Sequence, residues 1–241
     1  MKSFGWIVAV SLVGAALPAS AQVFALNPTT MVGYAGTAAA GSYARRQIGT
    51  RIVQRRAPAA RPTVAPAQAL ARANFRPVPA ARNQVYARTV ALAAKMNAGE
   101  AATLRAFFAS GKFRAGIIKY MAPYGMSPNN VVDATALYLA SAWYASRANG
   151  GDPTRAQMNG LRRQIALAMA DTPGMLSASD ALKQEIAEAS LIQAMFSGSL
   201  ATEGAKNPAA SGPMRAAAVN GVRASYQIDL SRMNLTANGL Q

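Results

Sequence analysis

The chain has 241 residues, with 25 lysines and arginines against 9 aspartates and glutamates, and a formal net charge of +16. It has no histidine and no cysteine, which excludes Ser-His-Asp and Cys-His catalysis, disulfide bonds, and metal or haem sites built on histidine or thiolate. No calcium-loop motif is present either, so the sequence predicts no metal site and no cofactor.

The first 21 residues are typical of a secretory signal peptide. Lys2 precedes an apolar run of about 14 residues, which is shorter than the roughly 20 that a membrane-spanning helix needs. The small residues Ala19-Ser20-Ala21 follow this run. We therefore predict cleavage between Ala21 and Gln22, export to the periplasm or the medium, and a mature protein with no transmembrane segment.

Residues 22–79 are predicted to form a disordered basic arm rich in Pro, Ala and Arg. Eleven basic residues and no acidic one lie between Gln22 and Gly99. The arm has few large apolar side chains to offset the entropy lost on ordering, and its prolines favour extended chain. Residues 42–56 match a short amphipathic helix, but a glycine at position 49 and several repelling arginines make that helix marginal in isolation.

The arm also supplies the candidate binding residues, which are Arg45, Arg46, Arg51, Arg55 and Arg56. A polybasic segment on an exported protein indicates contact with an anionic envelope polymer or membrane surface, and salt should weaken that contact. The alternative is a solvated tether that binds nothing. Export separates the protein from nucleic acid, which is therefore the least favoured partner.

Residues 80–241 are predicted to form one all-α domain, a bundle of about six helices. Strong helix formers dominate, apolar residues recur with a period near 3.6, and strand-like alternation is absent. Residues 112–121 are expected to be a short turn-rich segment. Three pairs are expected to start helices, because each places a capping oxygen before a proline: Ser127-Pro128, Asp152-Pro153 and Asn207-Pro208.

The helix expected after Ser127 is apolar nearly all round and ends at Gly150-Gly151, so we expect it at the centre of the bundle. On this interpretation Trp143 is buried. Asn130, Asp133 and Tyr138 have two interpretations: helix capping and core packing, or a functional cluster.

Glu185 and Glu188 are the best candidate catalytic pair, because they lie three residues apart on one helix face. Paired carboxylates cleave glycosidic bonds when they line a cleft and one of them has a raised pKa. Arg162 and Arg163 of the preceding helix are the expected charge partners. The alternative is that the two glutamates form helix-to-helix ion pairs or lie on a solvated surface.

Three runs carry a resemblance: PYGMSPNNVVDATALYLASAW, LKQEIAEASL and LSRMNLTANGL. Together they resemble an uncharacterised family of exported bacterial helical proteins, a domain of unknown function, over about residues 75–240. The resemblance implies the helical architecture and no particular activity.

Two functional classes follow. The first is a non-enzymatic exported helical module with a protein-binding, envelope-binding or structural role and a polybasic tether. The second is a cell-wall-active, glycosidase-like enzyme that uses Glu185 or Glu188. The scarcity of acids and of aromatic residues that would line a sugar cleft favours the first class.

Overall fold

A computed structural model describes residues 41–54 and 64–241, and its regular structure is almost entirely helical. Nine α-helices occur in these ranges: α1 (Ser42–Gln54), α2 (Pro66–Arg72), α3 (Pro79–Met96), α4 (Ala98–Ala109), α5 (Lys112–Met121), α6 (Val131–Ala145), α7 (Arg155–Ala170), α8 (Asp180–Lys206) and α9 (Pro208–Tyr226). Short 3-10 turns cover Ala122–Tyr124 and Leu230–Arg232, and a two-stranded hairpin pairs β1 (Leu235–Thr236) with β2 (Gly239–Leu240).

The centre of the fold is the pair formed by α6 and α8. Thirteen of the 15 residues of α6 are buried, because the helix carries apolar or small side chains on every face. Trp143 differs from its prediction. Its ring is only half-buried, and its Nε1 donates to the Met233 carbonyl at 2.9 Å.

Helices α3, α4 and α5 form a connected unit beside this pair, and α3 contacts α8. Aromatic side chains hold the unit together: the Tyr86 and Phe108 rings stack with centroids 4.2 Å apart, and Phe113 meets both edge-on. The expected turn-rich segment is in fact helix α5, whose buried Phe113, Ile117 and Met121 recur at helical spacing. Residues 79–241 therefore contain seven helices instead of about six.

The C-terminal hairpin packs on α7 at two points of close contact. A Cβ on Gly160 would lie 2.1 Å from the Ala237 carbonyl oxygen, so only glycine admits the turn there. The Gln164 amide holds both the N–H and the carbonyl of Leu240, at 2.8 and 2.9 Å.

The structure differs from the predicted disordered arm over residues 42–54 and 66–72. Helix α1 buries Ile48 and Ile52 and contacts α7 and α9, while α2 contacts α7. Tertiary burial stabilises a short helix that is marginal in isolation. Gly49 has a packing role here, because a Cβ at that position would lie 1.6 Å from the Tyr226 carbonyl oxygen.

One of the three predicted helix starts is confirmed. Asn207 caps α9 through the N–H of Ala210, with Pro208 at the first helical position. The other two starts lie further along the chain. Asn130 caps α6 in place of Ser127, and Thr154 forms a capping box with Gln157 at the start of α7 in place of Asp152.

Candidate functional site

Glu188 is fully buried between α8, α3 and α5 and accepts four hydrogen bonds. Its Oε1 receives Arg82 Nε at 3.0 Å, Arg114 Nη1 at 3.1 Å and Gln184 Nε2 at 3.2 Å. Its Oε2 receives the Tyr86 hydroxyl at 3.3 Å. We call these five residues the Glu188 cluster. The two guanidinium groups balance the buried carboxylate, and each of its oxygens accepts at least one hydrogen bond.

The donors of the Glu188 cluster are themselves held in place. Arg114 Nη2 donates to Asn129 Oδ1 at 2.5 Å, and the Gln184 amide oxygen accepts the Val78 N–H at the start of α3. Burial, followed by the charge of Glu188, raises the pKa of the Tyr86 hydroxyl, so this group stays a proton donor. The cluster is thus a rigid junction joining three helices.

Glu185 lies one turn earlier on α8 and pairs with Arg88 of α3 at the surface. The predicted partners were wrong: Arg162 binds Asp133 Oδ1 at 2.7 Å, and Arg163 donates to Asn238 Oδ1 at 3.3 Å. The arginines that dock on α8 come from α3 and α5, far away in sequence. Glu185 and Glu188 thus bind arginines of α3 and α5 and hold these two basic helices against α8.

This geometry does not suit acid-base catalysis at Glu188. A general acid must reach the leaving-group oxygen of its substrate, and the Glu188 side chain is 0% exposed.

Asn130, Asp133 and Tyr138 each have a structural partner of their own. Asn130 Oδ1 caps α6, while its Nδ2 donates to the Leu70 carbonyl at 2.9 Å. Asp133 accepts the Ser127 N–H at 2.8 Å and pairs with Arg162, and burial raises the pKa of its carboxyl. The buried Tyr138 hydroxyl lies 3.4 Å from Ser225 Oγ. These contacts favour the capping and packing interpretation for all three residues.

A small cleft that the sequence analysis missed lies where the loop after α6 meets α8. Its walls include Tyr120, Tyr144 and Asp152, and its floor is built from small residues such as Gly198. The Tyr120 hydroxyl donates to Asp152 Oδ1 at 3.1 Å and the Tyr144 hydroxyl to the Asp152 carbonyl at 2.9 Å. These polar groups hydrogen-bond to each other and hold the loop after α6 in place. In the sequence, Gly150-Gly151 marks the position of this loop.

The five candidate arginines of the arm do not share one environment. Arg46 is exposed and Arg51 is half-buried, but the Arg45 side chain is completely buried. Arg55 and Arg56 lie outside the described residues, as does the predicted signal peptide, residues 1–21. Arg45 therefore does not lie at the surface where an anionic polymer would bind.

A run of exposed positive charge lies on α3–α5, residues 79–121, which we call the cationic unit. It has seven basic residues and one acid, Glu100. Three of the arginines bind Glu185 or Glu188. Four further cations are exposed and form no ion pair with any described carboxylate: Lys95, Arg105, Lys112 and Lys119.

Across residues 41–54 and 64–241, no group of three or more acidic side chains is placed to hold a metal ion. Within the same ranges, no helix is both long enough and apolar enough to cross a membrane.

Comparison with known protein families gives a match over most of the chain. The model of a family described as "Family of unknown function (DUF6683)" matches residues 6–241. No curated protein and no solved structure matches the chain. The family match confirms the predicted resemblance to a domain of unknown function and extends it beyond residues 75–240.

Proposed function

The chain belongs to the family of unknown function DUF6683, and we propose that it is a non-enzymatic, exported helical module that binds an anionic polymer of the cell envelope. The cationic unit is the proposed binding element.

The observation that carries this proposal is that only some of the basic residues of the cationic unit form ion pairs. Arg82, Arg88 and Arg114 are neutralised by α8, whereas the four exposed cations have no carboxylate partner among the described residues. Unpaired surface cations repel each other and raise the local positive potential, which attracts polyanions in a salt-dependent way.

The burial of Glu188 supports the non-enzymatic part of the proposal. The best catalytic candidate in the sequence joins helices together inside the fold, and nothing in the described residues favours the glycosidase alternative. Export remains part of the proposal, supported by the signal-like composition of residues 1–21.

Co-sedimentation with purified bacterial cell-wall sacculi tests the proposal, at low salt and again at 0.5 M salt, where screening reduces the range of electrostatic forces to about 4 Å. One variant replaces the four exposed cations of the cationic unit with glutamine. A matched control replaces four exposed cations elsewhere: Arg163, Lys206, Arg215 and Arg232. Vesicles containing anionic phospholipid serve as a second target.

We expect the parent and the matched control to sediment with sacculi at low salt, and the cationic-unit variant to stay in the supernatant. High salt should release all three proteins. Equal binding by the two variants would overturn the assignment to the cationic unit, and binding to vesicles alone would replace the polymer with a membrane surface. Sugar fragments released by the parent would contradict the non-enzymatic assignment.

A further inference from the structure

Arg45 presents a buried positive charge that its own chain does not neutralise. The side chain extends from α1 into the contact between α1, α8 and α9 and is 0% exposed. Its Nη2 donates to the Gln193 amide oxygen, and its Cζ lies 4.9 Å from the centre of the Tyr226 ring. Its Nε and Nη1 are buried and have no hydrogen-bond acceptor in the part of the chain that the structure describes.

The acidic residues of the sequence are fully accounted for. All nine lie at described positions, and none of them forms an ion pair with Arg45. Residues 1–40 and 55–63 contain no aspartate or glutamate. A buried charge without a counterion is strongly unfavourable, and buried N–H donors ordinarily have partners. The missing negative charge must therefore come from outside this sequence.

We propose that Arg45 is a binding site for the carboxylate of a small organic acid. A carboxylate offers two planar acceptor oxygens that match the planar donors of a guanidinium. A monoanion also matches the charge of the site. The residues in contact with the guanidinium, Gln193 and Tyr226, carry no positive charge, so a phosphate dianion would bring surplus charge into a buried place.

The residues around Arg45 are held in position by contacts within the protein, before any ligand binds. The Tyr226 hydroxyl lies 3.1 Å from Ser190 Oγ and 3.3 Å from Thr135 Oγ1, and these contacts fix the ring beneath the guanidinium. Gly49 brings α1 against the end of α9 and so sets the position of Arg45. Arg45 is 0% exposed, so a carboxylate reaches it only when α1 moves away from α8 and α9. Because Arg45 belongs to α1, the bound carboxylate would then stabilise the docked position of that helix.

Thermal unfolding of the purified protein tests the site, in Tris buffer where chloride is replaced stepwise by acetate or by phosphate at constant ionic strength. Acetate should raise the Tm of the parent saturably, by about 3–10 °C at concentrations well above Kd. Arg45→Met should abolish this shift. Arg46→Met, an exposed position on the same helix, should keep it.

In chloride alone, Arg45→Met should be at least as stable as the parent, because it replaces an uncompensated buried charge with an apolar chain of similar length. If Arg45→Met instead unfolds far more easily or fails to fold, the chain itself satisfies the guanidinium and the proposal is overturned. It is also overturned if acetate shifts both variants equally.

A measurement on the unmodified protein keeps the test independent of any variant. Hydrogen exchange of the amides of residues 42–54 should slow when acetate replaces chloride, because the ligand holds α1 in place. Unchanged exchange, or slowing by phosphate and not by acetate, would contradict the carboxylate assignment.

Discussion

The molecule contains two buried charge sites of opposite character. At the Glu188 cluster, one carboxylate meets two guanidinium groups, a tyrosine hydroxyl and a glutamine amide. At Arg45, one guanidinium meets a glutamine oxygen and the face of a tyrosine ring, and no carboxylate. The first site is complete and holds helices together; the second lacks a counterion and can gain one from a ligand. Burial alone therefore does not distinguish a structural charge from a binding one, and the distinction lies in the partners.

Replacing Glu188 by glutamine should produce the largest loss of stability. Arg82 and Arg114 would then share a partly buried position with no negative charge between them. Breaking a buried ion pair by removing one partner costs about 3–5 kcal/mol. Urea unfolding followed by far-UV circular dichroism measures this effect. An unchanged unfolding midpoint would mean that the Glu188 cluster does not stabilise the fold.

Gly49→Ala should disturb the packing of α1, the helix that carries Arg45, more than the rest of the fold. The added Cβ would meet the Tyr226 carbonyl oxygen, so α1 must shift, at a cost of about 1–3 kcal/mol. Gly212→Ala in α9 is the matched control. A Cβ there contacts nothing within 4 Å outside its chain neighbours, so alanine should cost much less than at Gly49, even though Pro213 follows it in the helix. Equal losses in the two variants, measured by urea unfolding, would show that α1 does not dock through Gly49.

Alkaline pH should weaken the fold at Tyr138, beside the Arg45 site. Burial raises the pKa of Tyr138 to about 12, although Ser225 and Arg45 lower it. Because the unfolded value is about 10, the folded state keeps a proton that the unfolded state releases. The contribution of Tyr138 to stability is therefore constant below about pH 10 and falls by about 2 kcal/mol by pH 12.

Urea midpoints between pH 8 and 12, read together with tyrosinate absorbance at 295 nm, measure this effect, and Tyr138→Phe is the control. The variant should lose less stability over this pH range than the parent. Identical pH profiles would remove Tyr138 as the cause.

Glu185→Gln should have the smallest effect, although Glu185 is only one helical turn from Glu188. The Arg88 side chain of this pair is 48% exposed. Solvent-exposed ion pairs contribute about 0–1 kcal/mol, and salt screens them. A loss comparable to that of Glu188→Gln in the same urea experiment would show that the two glutamates form one cooperative unit.

The spacing of apolar residues in the sequence was sufficient to predict the helical class and the central position of α6, because both depend on local residue patterns. The C-terminal hairpin has a local turn signal in the sequence, Asn238-Gly239, and Gly239 adopts a φ of +96° there.

The partners of Glu188 could not be predicted in the same way. Arg82 and Arg114 lie 106 and 74 residues away in sequence, and no periodic pattern joins them to α8. Helix α1 was missed for a related reason, because its stability depends on burial of Ile48 and Ile52 against distant helices. Sequence reasoning found Glu188 and Arg45 as candidates but not their surroundings, and the surroundings decide what each residue does.

The most direct test of the contrast between the two charge sites is a side-by-side urea unfolding measurement of the parent, Glu188→Gln and Arg45→Met in chloride buffer. We predict that Glu188→Gln loses about 3–5 kcal/mol while Arg45→Met loses nothing or becomes more stable. Equal losses in the two variants would show that Arg45 is as fully satisfied by its own chain as Glu188, and would contradict the contrast between the two sites.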